Sequence, residues 1–219
     1  MHLPLSAKTA VASAVMLLTM GAAHADITAY TTQSSYLSAV GNTGVDTYDD
    51  LEIDQYDGPQ ERFAGSYGYT ATTGPNAENF WGAGDTASDS WLTGQNRLDS
   101  IVFTFADNNI AGAGGFFFGS DLFGFSTPAD SITIIATETG GATLSYTINA
   151  PELNSFVGFV SSSSLTSLEV LVGDQPGVWA TVNDLHLSIA AVPEPETYGM
   201  MLAGLGLLGY AARRQKRKS

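Results

Sequence analysis

Short runs of apolar side chains spaced two residues apart limit this chain more than any other feature. Ile101, Phe103 and Phe105 share one side of such a run, with Val102 and Thr104 on the other. Ile132 and Ile134, then Leu144, Tyr146 and Ile148, then Leu168, Val170 and Val172 repeat the pattern. Alternation bounded by turn residues is the mark of half-buried strands, because successive side chains of a strand point to opposite faces. Gly140-Gly141 separates two of these runs and predicts a tight hairpin connection. Many strands without interleaved helical periodicity predict an all-β fold, an antiparallel jelly-roll-like β-sandwich of two sheets packed face to face.

Local details sharpen the expectation. Val178, Ala180 and Val182 share one parity, whereas Leu185, Leu187 and Ile189 share the other. A single strand that buries both sets needs one extra residue, so a β-bulge is expected around Asn183-Asp184; two separate short strands are the alternative. One short helix is expected over 34–40, closed by Gly41 in a left-handed cap. The run from Ala111 to Gly119 carries three consecutive phenylalanines, Phe116, Phe117 and Phe118, and reads as a central strand with both faces covered. It lacks the lysine and the following helix of a phosphate-binding loop. The stretch from Thr72 to Arg97 is poor in hydrophobic residues and reads as a long loop carrying Phe80, Trp81 and Trp91.

The two ends read differently from the middle. Lys8, an apolar run from Thr9 to Gly21, and Ala23-His24-Ala25 form the charged, apolar and small-x-small parts of a secretory signal peptide. Residues 1–25 are therefore expected to be removed by signal peptidase after export through the general secretion machinery, with cleavage after Ala25 leaving Asp26 first. The alternative, an uncleaved anchor, has too few apolar residues for the roughly 20 a membrane span needs. The expected domain occupies 26–190, long enough for one core. At the other end Pro193-Glu194-Pro195-Glu196 forms a stiff extended linker, since each proline fixes its own φ and disfavours helix before it. Residues 197–212 carry no charge, and Arg213, Arg214, Lys216, Arg217 and Lys218 follow. As a transmembrane helix the apolar stretch would be short, about 24 Å against a hydrocarbon core of roughly 30 Å. Snorkelling arginines can close that gap, and the basic cluster should stay cytoplasmic.

Pro-Glu-Pro, an apolar segment with Gly-Leu-Gly-Leu-Leu-Gly, and a terminal basic cluster, in that order, resemble the PEP-CTERM sorting signal of Gram-negative bacteria. The resemblance covers 192–218, within an expected sorting segment of 191–219. It implies recognition by an exosortase near Pro193, Glu194 and Pro195, a transient inner-membrane intermediate, and delivery to the cell surface or outside. Such systems accompany exopolysaccharide and biofilm-matrix production. Tyr48-Asp49-Asp50-Leu51 and Val182-Asn183-Asp184-Leu185 also resemble, more loosely, other passengers of this sorting system.

Charge restricts the partners of the domain. All 22 acidic residues lie between Asp26 and Glu196, where only Arg62 and Arg97 are basic, a formal −20. Such a domain repels nucleic acid and anionic lipid, which leaves cations, neutral sugars or proteins. The absence of cysteine excludes thiol nucleophiles and thiolate metal sites.

Catalytic chemistry finds little purchase. His186 is the one histidine after signal cleavage, and its alternation with Leu185 and Leu187 predicts that it faces solvent. Ser161 to Ser164 could supply a hydroxyl, but no nucleophile elbow surrounds them. No catalytic residue is assigned, and no enzyme is expected. Calcium remains open, since it takes six to eight oxygen ligands. By analogy with sugar-binding sandwiches that tie an early acidic segment to the last strand, Asp49, Asp50, Glu52 and Asp184 are the candidate ligands. Aromatic faces stack on sugar rings, so Tyr67, Tyr69, Trp81 and Trp91 are candidate sugar contacts, or else a satellite core under the loop. The expected role is a structural or adhesive one in an exopolysaccharide or biofilm matrix, without catalysis. A calcium-dependent carbohydrate-binding module and a carboxylate-dependent glycoside hydrolase are the alternatives.

Overall fold

The computed structural model describes residues 26–86, 89–106, 109–191 and 204–205. The alternating runs become two antiparallel sheets. The larger contains β1 (Ile27–Tyr30), β2 (Val40–Asp46), β3 (Gln55–Tyr56), β6 (Phe80–Thr86), β7 (Asp89–Gly94), β9 (Ile110–Ser120), β10 (Ser126–Thr127), β13 (Phe156–Ser161) and β15 (Trp179–Ala190). The smaller contains β4 (Gln60–Ala64), β5 (Tyr67–Gly74), β8 (Ser100–Phe105), β11 (Ser131–Glu138), β12 (Thr143–Asn149) and β14 (Leu165–Leu171). Their orders are β1-β13-β9-β15-β7-β6-β3, with β10 beside β9 and β2 beside β15, and β12-β11-β14-β8-β5-β4. From β8 onward the chain crosses repeatedly between the sheets, so neighbours in sequence help to wrap one shared core.

That core takes the inward parity of both layers. Phe117, Val182, Leu185 and Leu187 of the larger sheet meet Ile101, Phe103, Ile132, Ile134, Leu168 and Val170 of the smaller. The β11–β12 hairpin closes on the expected glycines, with Gly141 at φ +82° and its N–H donating to the Glu138 carbonyl at 2.8 Å. β15 is one continuous strand with the expected bulge: its register with β9 slips between Asn183 and His186, and Asp184 sits at φ +48°. The slip lets Val182 and Leu185, of opposite parity, both face the core.

β9 is covered on both faces, as the triple phenylalanine requires. Phe117 points into the shared core, while Phe116 packs with Tyr36 and Phe156, and Phe118 with Ala83 and Trp91. The cover over Phe116 is α1 (Gln33–Ala39), whose Thr32 cap accepts the Ser35 N–H. Tyr36 of α1 seats on bare backbone. A Cβ at Gly158 would run into its ring, and one at Gly112 would lie 2.8 Å from its hydroxyl oxygen.

Three expectations are corrected. The helix is not closed by a left-handed Gly41; Val40 is already extended at φ −116° and β2 follows directly. The stretch from Thr72 to Arg97 is largely β-structure, the end of β5 and then the β6–β7 hairpin. Its inward positions alternate Phe80 with Gly82 and Leu92 with Gly94, so averaging over the stretch hides a strand pattern diluted by glycine. His186 is buried, 2% exposed, because α1 and Phe156 cover the outward face of β15 as well.

Among the described residues no helix is long and apolar enough to cross a membrane. The expected signal peptide with Ala23 and Ala25, the sorting residues Pro193, Glu194 and Pro195, and the basic cluster from Arg213 to Lys218 lie outside them. So does the apolar segment 197–212, except Gly204 and Leu205, which are helical and exposed.

Candidate functional site

Register places an aromatic row on the outward face of the larger sheet. Trp81 of β6 pairs with Thr93 of β7, and Thr93 pairs with Thr181 of β15. Phe80 and Leu92, one residue away on each strand, belong to the inner core, so Trp81 and Thr93 face out. Trp179 stands two residues before Thr181 at the start of β15, with its indole N–H donating to the Gln95 carbonyl at 3.2 Å. Thr93, almost fully buried, donates its hydroxyl to the Ala180 carbonyl at 3.0 Å.

The loop between β9 and β10 raises a wall beside this row. Asp121 organises it: one carboxylate oxygen accepts the N–H groups of Phe123 and Phe125 at 2.9 and 3.1 Å, an Asx-type turn. Gly124 sits at φ +85°, and its carbonyl accepts the indole N–H of buried Trp91 at 3.0 Å. Ser126 beyond the loop donates from its N–H and hydroxyl to Asp85 of β6, at 3.1 and 2.9 Å. A loop fastened at so many points holds Leu122 and Phe123 out in solvent, 73% and 74% exposed. Together with Ile53, from the segment ahead of β3, these groups bound a cleft of about 450 Å³. Trp81, Trp179 and Phe123 supply its aromatic surface, and Asp121 and Gln95 its polar edge.

The candidate sugar contacts therefore divide. Trp81 lines the cleft. Trp91 is fully buried edge-to-face against Phe118, ring centroids 5.1 Å apart, and acts as the satellite core under the loop. Tyr67 is half-buried and donates to the Asn42 carbonyl at 3.2 Å, and Tyr69 is in the main core. Trp179 and Phe123 were missed in the sequence; the only signal was their type, two large aromatics next to glycine-containing turns.

The candidate calcium ligands are spread over other duties. Asp50 accepts from Arg62 at 2.6 Å, which holds its carboxyl below the usual range. Asp49 accepts the Ser90 N–H at 3.3 Å, and Glu52 is exposed. Asp184 is half-buried at the bulge, where burial, then the nearby charges of Asp89 and Asp49, push its carboxyl up against the opposing pull of His186. Among the described residues no three His, Cys, Asp or Glu side chains are grouped so as to hold a metal ion. Ser161 donates to Glu138 at 2.9 Å.

His186 is held as a neutral ring. Its Nδ1 lies 2.6 Å from the Asp184 carbonyl and its Nε2 lies 3.0 Å from the Gln33 side-chain nitrogen. A carbonyl can only accept and an amide nitrogen only donate, so the proton sits on Nδ1. Burial pushes the imidazole below its ordinary value of 6.5, against the raising effect of Asp184.

Comparison with known proteins adds one firm point. The family model of the PEP-CTERM protein-sorting motif matches residues 191–218. That motif implies export to the cell surface by way of the membrane, with an exosortase as processing partner. No curated protein matches the chain. Among solved structures, the CBM22-1 xylan-binding domain of Xyn10C from Paenibacillus barcinonensis superposes with a TM-score of 0.33 at 14% identity, over 64% of this chain and 96% of that one. A superposition that loose says nothing of what this chain binds.

Proposed function

We propose that this PEP-CTERM-bearing chain is an exported, non-enzymatic matrix protein whose β-sandwich, jelly-roll-like in its crossing connections, holds a polysaccharide in the Trp81–Trp179 cleft. The observation that carries the reading is the pair of tryptophans on one outward sheet face, with Phe123 opposite on a fastened loop. Flat aromatic surface of this kind takes the apolar face of a pyranose ring, and the open cleft suits a chain rather than a single sugar.

Direction along β15 supports display. The strand begins at the cleft with Trp179 and ends at Ala190, one residue before the sorting motif. At about 3.3 Å per residue the strand places roughly 35 Å between cleft and tail. β1 runs beside β13 with Ile27 opposite Ser161, and Val160 in turn faces Gly112 near the Ile110 end of β9, so Asp26 emerges at the Ala190 end too. Signal cleavage before Asp26 and exosortase processing near Pro193 to Pro195 would then both act away from the cleft.

Two measurements test the reading. Intact mass spectrometry of protein from membranes and from culture supernatant should show a released species that begins at Asp26 and has lost the basic cluster. Retention of Arg213 to Lys218 in every species would make the tail a plain anchor. Calorimetric titration with neutral β-linked oligosaccharides should show binding that Trp81→Ala weakens by roughly ten-fold or more, ~1.4 kcal/mol, with the fold intact. Equal binding by Trp81→Ala and the unaltered protein would move the site elsewhere.

A further inference from the structure

Which polysaccharide the cleft prefers follows from where the charges stand. The described domain has two cations, and both are engaged. Arg62 is clamped between Asp46 and Asp50, and Arg97 lies 2.7 Å from Asp174. Neither lines the cleft. A uronate or sulfated chain entering it would meet no positive charge and would lose hydration without a replacement partner.

Negative charge, by contrast, stands at the opening and in the segments beside it. Asp121 lines it directly, and only one of its two carboxylate oxygens is used by the loop. Ile53 lines the cleft between Glu52 and Asp54, both exposed. Asp85 is fixed beside the loop through Ser126. A protonated amine in the cleft would meet the Asp121 carboxylate at the edge beside the indoles of Trp81 and Trp179, the two kinds of group that favour an ammonium.

We infer that the cleft selects glycans by charge, taking chains with free amino groups, such as de-N-acetylated hexosamine polymers, over neutral chains, and neutral chains over uronates. This rests on the cleft being the polysaccharide site. Long-range attraction by the acidic domain adds to capture and should fade as salt shortens the screening length.

The test is a titration of the full chain in detergent with three oligosaccharides of equal length: glucosamine, N-acetylglucosamine and a uronic acid. At low ionic strength the amine oligomer should bind several-fold more tightly than the acetylated one, and the uronate should not bind measurably. Half-molar salt should narrow the gap between the first two. Glu52→Gln combined with Asp54→Asn should lower the ratio of amine to acetyl affinity. Equal affinity for all three oligomers, or a preference for the uronate, overturns selection by charge while leaving the cleft as a sugar site. Failure of all three to bind overturns both that site and this inference.

Discussion

Arg62 grips Asp46 with two parallel bonds, from Nε and Nη2, each 2.7 Å long, and the pair joins the two sheets. Asp46 ends β2 at the margin of the larger sheet, and Arg62 lies on β4 at the margin of the smaller one. The Tyr69 hydroxyl donates to the same carboxylate at 2.5 Å, and the Tyr48 N–H at 3.2 Å. The guanidinium rests over the Tyr48 ring, 5.1 Å from its centre. Among the described residues the fork supplies the only positive charge on a nearly buried carboxylate that the Tyr69 hydroxyl and the Tyr48 N–H also bond.

Removing one partner of this pair should therefore cost more than its own attraction. Arg62→Met is expected to destabilise the domain by about 3–5 kcal/mol, since it takes the ion partner from a carboxylate buried away from water. Arg62→Lys should recover only part of that loss, because an ammonium cannot form the two-pronged bond. Urea unfolding decides it; a loss under about 1 kcal/mol for Arg62→Met would mean the sheets are held by apolar packing alone.

The two tryptophans of the β6–β7 hairpin should separate stability from binding. Trp91→Ala is expected to cost about 3–5 kcal/mol, as it opens a cavity against Phe118 and strips the Gly124 carbonyl of its donor. Trp81→Ala should leave the melting temperature nearly unchanged. Similar melting losses for both variants would show that Trp81 is also a packing residue.

Burial of His186 predicts a pH dependence with a definite sign. Its folded-state affinity for protons is depressed by burial, so its contribution is complete above the unfolded value near 6.5 and is lost as pH falls through the lower folded value. Stability should fall between pH 7 and 5.5, with a slope of at most about 1.4 kcal/mol per pH unit from this group. The window stays above the ordinary carboxylate range, and the raised carboxyl of Asp184 acts with the opposite sign, since burial favours its protonated form. His186→Gln should flatten the slope in thermal melts, and an unchanged slope would assign it to other groups.

The seat of Tyr36 tolerates no side chain. Gly158→Ala puts a methyl group against the ring and is expected to destabilise by about 1–3 kcal/mol. Gly173→Ala is a contrast without crowding, since nothing lies near its Cβ and only the left-handed φ of +71° opposes it. Hydrogen exchange should show the loss for Gly158→Ala concentrated in α1 and β13. Uniform loss across both sheets would contradict a local clash.

What the sequence alone determined is what depends on near neighbours in the chain. Alternation announced the strands around Ile101, Ile132, Leu144 and Leu168, because a strand turns its side chains over every residue. A parity change between Val182 and Leu185 narrowed the choice to a bulge or two short strands, and the continuous β15 takes the bulge. The sorting signal was legible because it is a linear string that needs no fold to be read. Tertiary structure decided what lies over the outward face of a strand. Alternation assigns His186 to that face but is silent on α1, which buries it, and the loop-like composition around Trp91 gave no sign of the β9–β10 loop that covers its strand. The cleft was hidden for the same reason: Ile53, Trp81, Phe123 and Trp179 come from four separated segments. Cross-strand register among β6, β7 and β15, set by packing of the shared core, brings Trp81 and Trp179 to one surface, and the segment ahead of β3 and the fastened β9–β10 loop add Ile53 and Phe123.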